Sequence, residues 1–248
     1  KVFRVTGGEP TMSKDVWRTL EYIIDNPQPQ LQIAINTNLG TDKKLIDKLI
    51  KYINRLEDKV DRIDVYTSVE SSGEYAEYAR DGIDYDYWYE NCRRILTETN
   101  SLVAIMTTLN ILCLHGFYNF IEDVMKLRIE FNKCLENNRV PISLNYLRWP
   151  PHLQSTLLDV DTRKYFVGIF LKQGKRWLKY NSPDKWARLY LEEYDQLQRW
   201  CHYLLQEPTQ LKFRKDFVNF IKAYDMRRGK DFTKVYPGMA HLLEEWNV

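Results

Sequence analysis

The sequence predicts an α/β fold of parallel strands covered by helices, followed by an all-helical region. Three observations predict it. Short β-branched runs alternate with amphipathic helical patterns through residues 1–150. The strands recur about every 30 to 40 residues, the length of one βα unit. Strand signals then stop after Pro150-Pro151. Such alternation forces parallel strands joined by crossover helices, as an open sheet or a barrel. Net charge changes at the same boundary, from −3 over residues 1–150 to +5 over residues 151–248.

The expected strands are residues 2–6, 31–36, 63–69, 102–107 and 141–146, each rich in β-branched or aromatic residues. Ser13 caps a first helix whose Val16, Trp17, Leu20, Ile23 and Ile24 share one face, and Pro27 stops it. Leu45, Ile46, Leu49, Ile50 and Ile53 repeat that arrangement after Thr41 or Asp42. Trp88, Cys92, Ile95 and Leu96 form a third apolar face, and Phe117, Phe120, Ile121 and Val124 a fourth. Beyond residue 150, Trp186, Leu189, Tyr190, Leu197, Trp200, Cys201 and Leu204 keep helical spacing, as do Phe217, Phe220, Ile221 and Tyr224. Leu242, Leu243 and Trp246 suggest a last short helix after Pro237-Gly238. The first strand starts at Lys1 without a preceding cap or turn. One further βα unit is therefore expected upstream, which would place this strand inside the sheet rather than at its edge.

With 248 residues, 44% hydrophobic and 28% charged, the chain can bury a core and is not disordered. Ten glycines and four cysteines exclude collagen-like and disulfide-scaffold classes. No signal-peptide pattern opens the chain. Residues 101–121 lack charged side chains, but polar residues such as Thr107, Asn110 and His115 leave apolar runs too short to cross a bilayer. A cytoplasmic location without membrane contact is expected.

Parallel βα folds bind ligands at the carboxyl ends of their strands. The first strand runs into Thr6-Gly7-Gly8-Glu9-Pro10, where two glycines admit a ligand close to the backbone and Pro10 stiffens the exit. Its carbonyls and the Glu9 carboxylate suit an ammonium group, although a plain tight turn uses the same residues. The second strand ends in the hydrogen-bonding cluster Asn36-Thr37-Asn38. In the third, Ser68 and Glu70 share a face by the period of two and suit hydroxyls such as those of a ribose. Arg80-Asp81-Gly82 follows, and Arg80 suits a carboxylate. The fourth and fifth strands run into Thr107-Thr108-Leu109-Asn110 and Asn145-Tyr146-Leu147-Arg148.

Together, Gly7-Gly8-Glu9-Pro10, Asn36-Thr37-Asn38, Ser68-Val69-Glu70 and Arg80-Asp81-Gly82 resemble the radical S-adenosylmethionine (radical SAM) superfamily in order and spacing. The likeness covers about residues 1–150 and is strongest to twitch-type radical SAM proteins of phages and environmental bacteria. The tail Tyr224-Asp225-Met226-Arg227-Arg228-Gly229-Lys230-Asp231-Phe232, with Tyr236-Pro237, is similar to the ending of that group. The resemblance implies a partial (β/α)6 TIM-like barrel lacking its first βα unit, here residues 1–150, under a helical cover of residues 151–248. It implies SAM and a [4Fe–4S] cluster as cofactors, with hydrogen abstraction by a 5′-deoxyadenosyl radical. By position, Gly7, Gly8 and Glu9, stiffened by Pro10, would meet the SAM amino group. Ser68 and Glu70 would meet the ribose or methionyl end, Arg80 the carboxylate, and Thr108, Asn110 and Leu147 the adenosine, with Asn36 and Asn38 lining the cavity. No catalytic residue is assigned. The substrate stays open among peptide, nucleotide and small metabolite, and the electron donor would be a flavodoxin or ferredoxin.

The family's CxxxCxxC loop does not occur in this chain. Cys92, Cys113, Cys134 and Cys201 stand 21, 21 and 67 residues apart, so the cluster cysteines are expected upstream of Lys1. Cys92 and Cys201 read as core, and Cys113 as core or as a loop residue within reach of the site. His115, His152, His202 and His241 show no zinc spacing and read as surface or capping residues. Residues 172–188 interleave lysines and arginines with Trp177, Tyr180 and Trp186. Nucleic acid is bound by such patterns, but the small net charge favours a helical cover with solvated lysines. Two other classes stay open: a degenerate, cluster-free binding module, and a βα-barrel hydrolase using Glu9 and Glu70 as paired carboxylates.

Overall fold

A computed structural model describes residues 1–134, 137–179 and 187–247. Strands β1 (Val2–Val5), β2 (Gln28–Asn36), β3 (Val60–Ser68), β4 (Leu102–Leu109) and β5 (Ile142–Tyr146) form one all-parallel sheet in chain order. All five expected strands are present, with ends moved by a few residues. Between them lie α1 (Lys14–Asp25), α2 (Lys43–Leu56), α3 (Gly73–Ala79), α4 (Tyr85–Glu98) and α5 (Phe117–Phe131). Asp42 rather than Thr41 caps α2, its carboxylate accepting the Leu45 amide at 3.0 Å. Ser13 stands at the start of α1 but makes no side-chain cap bond.

Successive helices pack side by side, α1 on α2, α2 on α4 and α4 on α5. Strands in chain order joined by right-handed crossovers place every connecting helix on one face. Alternation along the strands agrees. Ile33, Ile35, Ile63, Val65, Val103, Ile105, Ile142 and Leu144 are all buried beneath the helices. The residues between them point the other way, and many are polar: Arg4, Asn36, Arg62, Thr108 and Asn145 are exposed, and Tyr66, Ser68 and Met106 half-buried. A parallel sheet ordinarily covers both faces. This one keeps one polar, accessible face.

The helical half contributes α6 (Val160–Leu178), α7 (Leu191–Gln206), α8 (Arg214–Arg228), α9 (Phe232–Val235) and α10 (Leu242–Glu245). The sequence reading did not anticipate α3 or α9, and of α6 it anticipated only the part from residue 172 onwards, as a helical cover. Seven residues are too short to show a helical period in α3. In α6 the basic residues drew attention away from the apolar face of Phe166, Val167, Phe170 and Trp177, all buried. Trp177 is buried while Lys172 and Lys175 are exposed, and Arg176 pairs with Glu122 at 2.5 Å, as a cover helix requires. Tyr180 and Trp186 lie outside the described residues. One apolar cluster runs from Trp17 to Trp246, so both halves share a core.

The two sheet edges differ. Against β5 lies α7, whose Glu193 and Gln196 accept the Ile142 and Leu144 amides at 3.1 and 2.6 Å. These side chains occupy the place of a sixth strand and close the edge. Glu193 is itself paired with the buried Arg128 at 2.6 Å, and Arg128 also donates to the Val140 carbonyl. At the other side β1 pairs only with β2 among the described residues. Within the described residues β1 has a free edge, with Val2 and Phe3 exposed, and this is the side on which the expected upstream βα unit would pair. No helix among the described residues is long and apolar enough to cross a membrane.

Candidate functional site

The loops after β1, β2 and β3 converge on two carboxylates. Gly7 and Gly8 hold φ of +95° and +49°, in the left-handed region that side chains disfavour, and nothing lies within 4 Å of a Cβ built on either. Backbone conformation, not lack of space, demands glycine here. Their chain exit is set by Glu9, whose Oε1 accepts the Thr11 amide at 3.1 Å and the Thr11 and Thr37 hydroxyls at 2.7 and 2.8 Å. Its Oε2 accepts the Asn38 amide at 2.8 Å. Glu9 therefore ties the β1 and β2 loops together, beside the exposed Gly7 and Gly8.

Beyond β2, Asn38 Oδ1 accepts the Gly40 amide at 2.8 Å. Leu39 between them is fully buried at φ +53°, a strained conformation for a branched side chain, and Asn91 donates to its carbonyl at 2.8 Å. Asn36 is exposed on the polar face of the sheet.

Glu70 follows β3 with its side chain 6% exposed. Arg80, just past α3, donates to it through Nε at 2.7 Å and through one terminal nitrogen at 2.5 Å, and the Thr108 amide adds a bond at 3.3 Å. The second terminal nitrogen of Arg80 has no partner among the described residues. A cavity of about 150 Å³ lies on one side of this pair, lined by Asn38, Gly40, Ser68, Arg80 and Asp81. A second of about 260 Å³ lies on the other, lined by Glu70, Arg80, Thr108, Asn110 and Leu147 together with Phe220 and Tyr224 of α8. Asn110 caps the turn that follows β4, accepting the Leu112 amide at 2.9 Å. Larger hollows exist, about 440 Å³ at the amino ends of β3 and β4 and about 660 Å³ along α7. The first lies at the opposite end of the sheet from the strands' carboxyl ends, where parallel folds present their loops to ligands, and the second touches only Tyr146 at the end of β5.

Of the expected residues, the structure brings Asn38, Ser68, Glu70, Arg80, Thr108, Asn110 and Leu147 to these two cavities. Gly7, Gly8, Glu9 and Pro10 stand in the adjoining loop, and Asn36 on the open face, lining neither. Phe220 and Tyr224 were missed, since helical spacing made them core candidates and only the tertiary fold turns them towards Glu70.

Among the described residues no three His, Cys, Asp or Glu side chains are grouped to hold a metal ion. Cys92, Cys113 and Cys201 are buried, and burial pushes their thiols up, that of Cys201 to about 12. Cys113 spends its sulfur on the turn after β4, accepting the Asn110 amide at 3.2 Å. A [4Fe–4S] cluster needs converging thiolates, so the residues described here do not fit one. His115 is neither a surface nor a capping residue. It is wedged between Tyr75, Phe166 and Tyr236, with ring centroids 5.1 to 5.9 Å away, and its buried Nδ1 has no hydrogen-bond partner among the described residues. His152 rests against Phe220.

No family model matches the chain, and no curated protein or solved structure does either.

Proposed function

We propose that this chain is a SAM-binding domain of radical SAM type, with the sheet forming a partial βα barrel whose polar face is the lumen. Chain-order strands with helices on one side and an accessible polar face on the other are the geometry such a barrel requires. The observation that carries the reading is the convergence of loops from β2 to β5 on the Arg80–Glu70 pair, with the glycine loop of β1 beside them. The chemistry matches a zwitterionic nucleoside ligand. Glycine carbonyls suit its ammonium group, the remaining Arg80 nitrogen its carboxylate, and Ser68 and Glu70 its hydroxyls. Thr108, Asn110 and Leu147 offer a mixed polar and apolar wall for its base.

A [4Fe–4S] cluster, if held by cysteines upstream of Lys1, would supply one-electron reduction beside this site. Among the described residues there is no ligand set for it. What this chain's own residues do is bind and orient SAM, with Glu70 holding the Arg80 fork in place. The cluster-free binding module differs from this reading in the segment upstream of Lys1, where the cluster cysteines are expected. The hydrolase reading has less support, because Glu9 accepts four hydrogen bonds and Glu70 three, leaving neither as an open acid or base.

Calorimetric titration with SAM tests the proposal. Saturable binding is expected for the wild-type chain, and Arg80→Ala should weaken it by about 1.5 to 3 kcal/mol, the worth of a hydrogen bond to a charged group. No heat of binding from the wild type, or equal affinity in Arg80→Ala, would sink it.

A further inference from the structure

The end of α8 and the segment after it reach back to the Arg80 loop. Asp225 Oδ1 accepts the Tyr78 hydroxyl at 2.6 Å, and its Oδ2 accepts the Phe232 amide at 2.9 Å. The Tyr224 hydroxyl donates to the Tyr78 carbonyl at 2.8 Å, while its ring lines the cavity beside Glu70 and Arg80. Gly229, at φ +62°, ends α8 and turns the chain so that Lys230 donates to the Glu77 carbonyl. Asp81, next to Arg80, then meets two cations: Arg228 at 2.9 Å and Lys230 at 3.3 Å.

Besides the Arg80–Glu70 pair and the bond from the Tyr85 amide to Glu77 at 3.1 Å, the loop's own ties are local. Helix α3 is seven residues long, too short to hold its own carboxyl end by propensity. The Arg80 amide donates to the Ala76 carbonyl at 2.8 Å and the Ile83 amide to the Arg80 carbonyl at 3.2 Å, both local bonds. One exposed ion pair contributes little. Two cations on one carboxylate, flanked by the Tyr78–Asp225 and Tyr224–Tyr78 bonds, form a network with a defined geometry.

We propose that Arg228 and Lys230 are positioning residues of the ligand site: by clamping Asp81 they set the Arg80 fork against Glu70, and with it the affinity for a carboxylate-bearing ligand. The proposal rests on SAM being that ligand. It gives the C-terminal segment a part in the site rather than in the cover alone.

The test compares Arg228→Ala/Lys230→Ala with Arg227→Ala, which removes an exposed charge from the same turn, and with Asp81→Asn. SAM affinity is measured by calorimetry, and amide exchange at Arg80 and Ile83 without ligand. The double variant and Asp81→Asn should bind SAM about two- to fivefold more weakly and exchange these two amides faster. Arg227→Ala should match the wild type, and the conservative pair Arg228→Lys/Lys230→Arg should restore binding. Unchanged affinity in a double variant, with SAM still binding the wild type, overturns the positioning role and leaves the proposed function intact. A wild-type chain that takes up no SAM overturns the proposed function, and exchange then decides alone. Faster exchange upholds the tail's hold on Arg80, and unchanged exchange overturns it.

Discussion

Glu9 and Glu70 show how neighbours decide what a carboxylate does. Both follow strands and both looked like ligand contacts, yet Glu9 joins two loops while Glu70 grips a guanidinium. The glycine loop makes a sharper residue-scale prediction. A Cβ at Gly8 would meet nothing within 4 Å, so Gly8→Ala should cost only its left-handed strain, about 1 to 2 kcal/mol, measured by urea denaturation. His115 makes another. Burial among aromatic rings holds its imidazole below the ordinary value of 6.5, so the folded state resists protonation. Its contribution to stability is present above pH 6.5 and is lost as pH falls below that value towards the depressed folded-state value. His115→Leu should flatten the acid side of a melting-temperature profile between about pH 7 and 5; an unchanged slope would contradict this.

At the scale of elements, the β5 edge is the joint that matters. Strand periodicity announces a strand at Ile142–Tyr146 but not what lies beside it. Only the fold brings Glu193, 51 residues later, onto the Ile142 amide and the buried Arg128. Removing one member of a buried pair leaves the other charge unmatched. Glu193→Ala should therefore destabilise the protein by about 3 to 5 kcal/mol in chemical denaturation, without affecting residues at the opposite edge. A loss below about 1 kcal/mol would show that α7 does not seal the sheet through this side chain.

At the scale of the molecule, the boundary at Pro150 is a change of secondary structure inside one core. Phe217, Ile221, Phe232 and Tyr236 from the helical half are each fully buried in the cluster that holds Trp88 and Phe117 from the sheet half. One cooperative thermal transition is expected by calorimetry. Deleting residues 214–247 should abolish it rather than leave the sheet half folded. Two separate transitions in the intact chain would show instead that residues 151–248 fold on their own.

Alternation of β-branched and amphipathic segments was enough to determine the α/β class, the five strands and most of the helices, because periods of two and 3.6 are local properties of the chain. Strand ends likewise marked Asn38, Ser68, Glu70, Arg80, Thr108, Asn110 and Leu147, since parallel strands all send their carboxyl ends to one side. Tertiary structure alone decided that Arg80 grips Glu70, that α7 closes one edge of the sheet, that Phe220 and Tyr224 line the cavity beside Glu70, and that Arg228 and Lys230 meet Asp81. Those are contacts across 10 to 153 residues of chain. They arise from how side chains meet once the core is packed, and no local period encodes them.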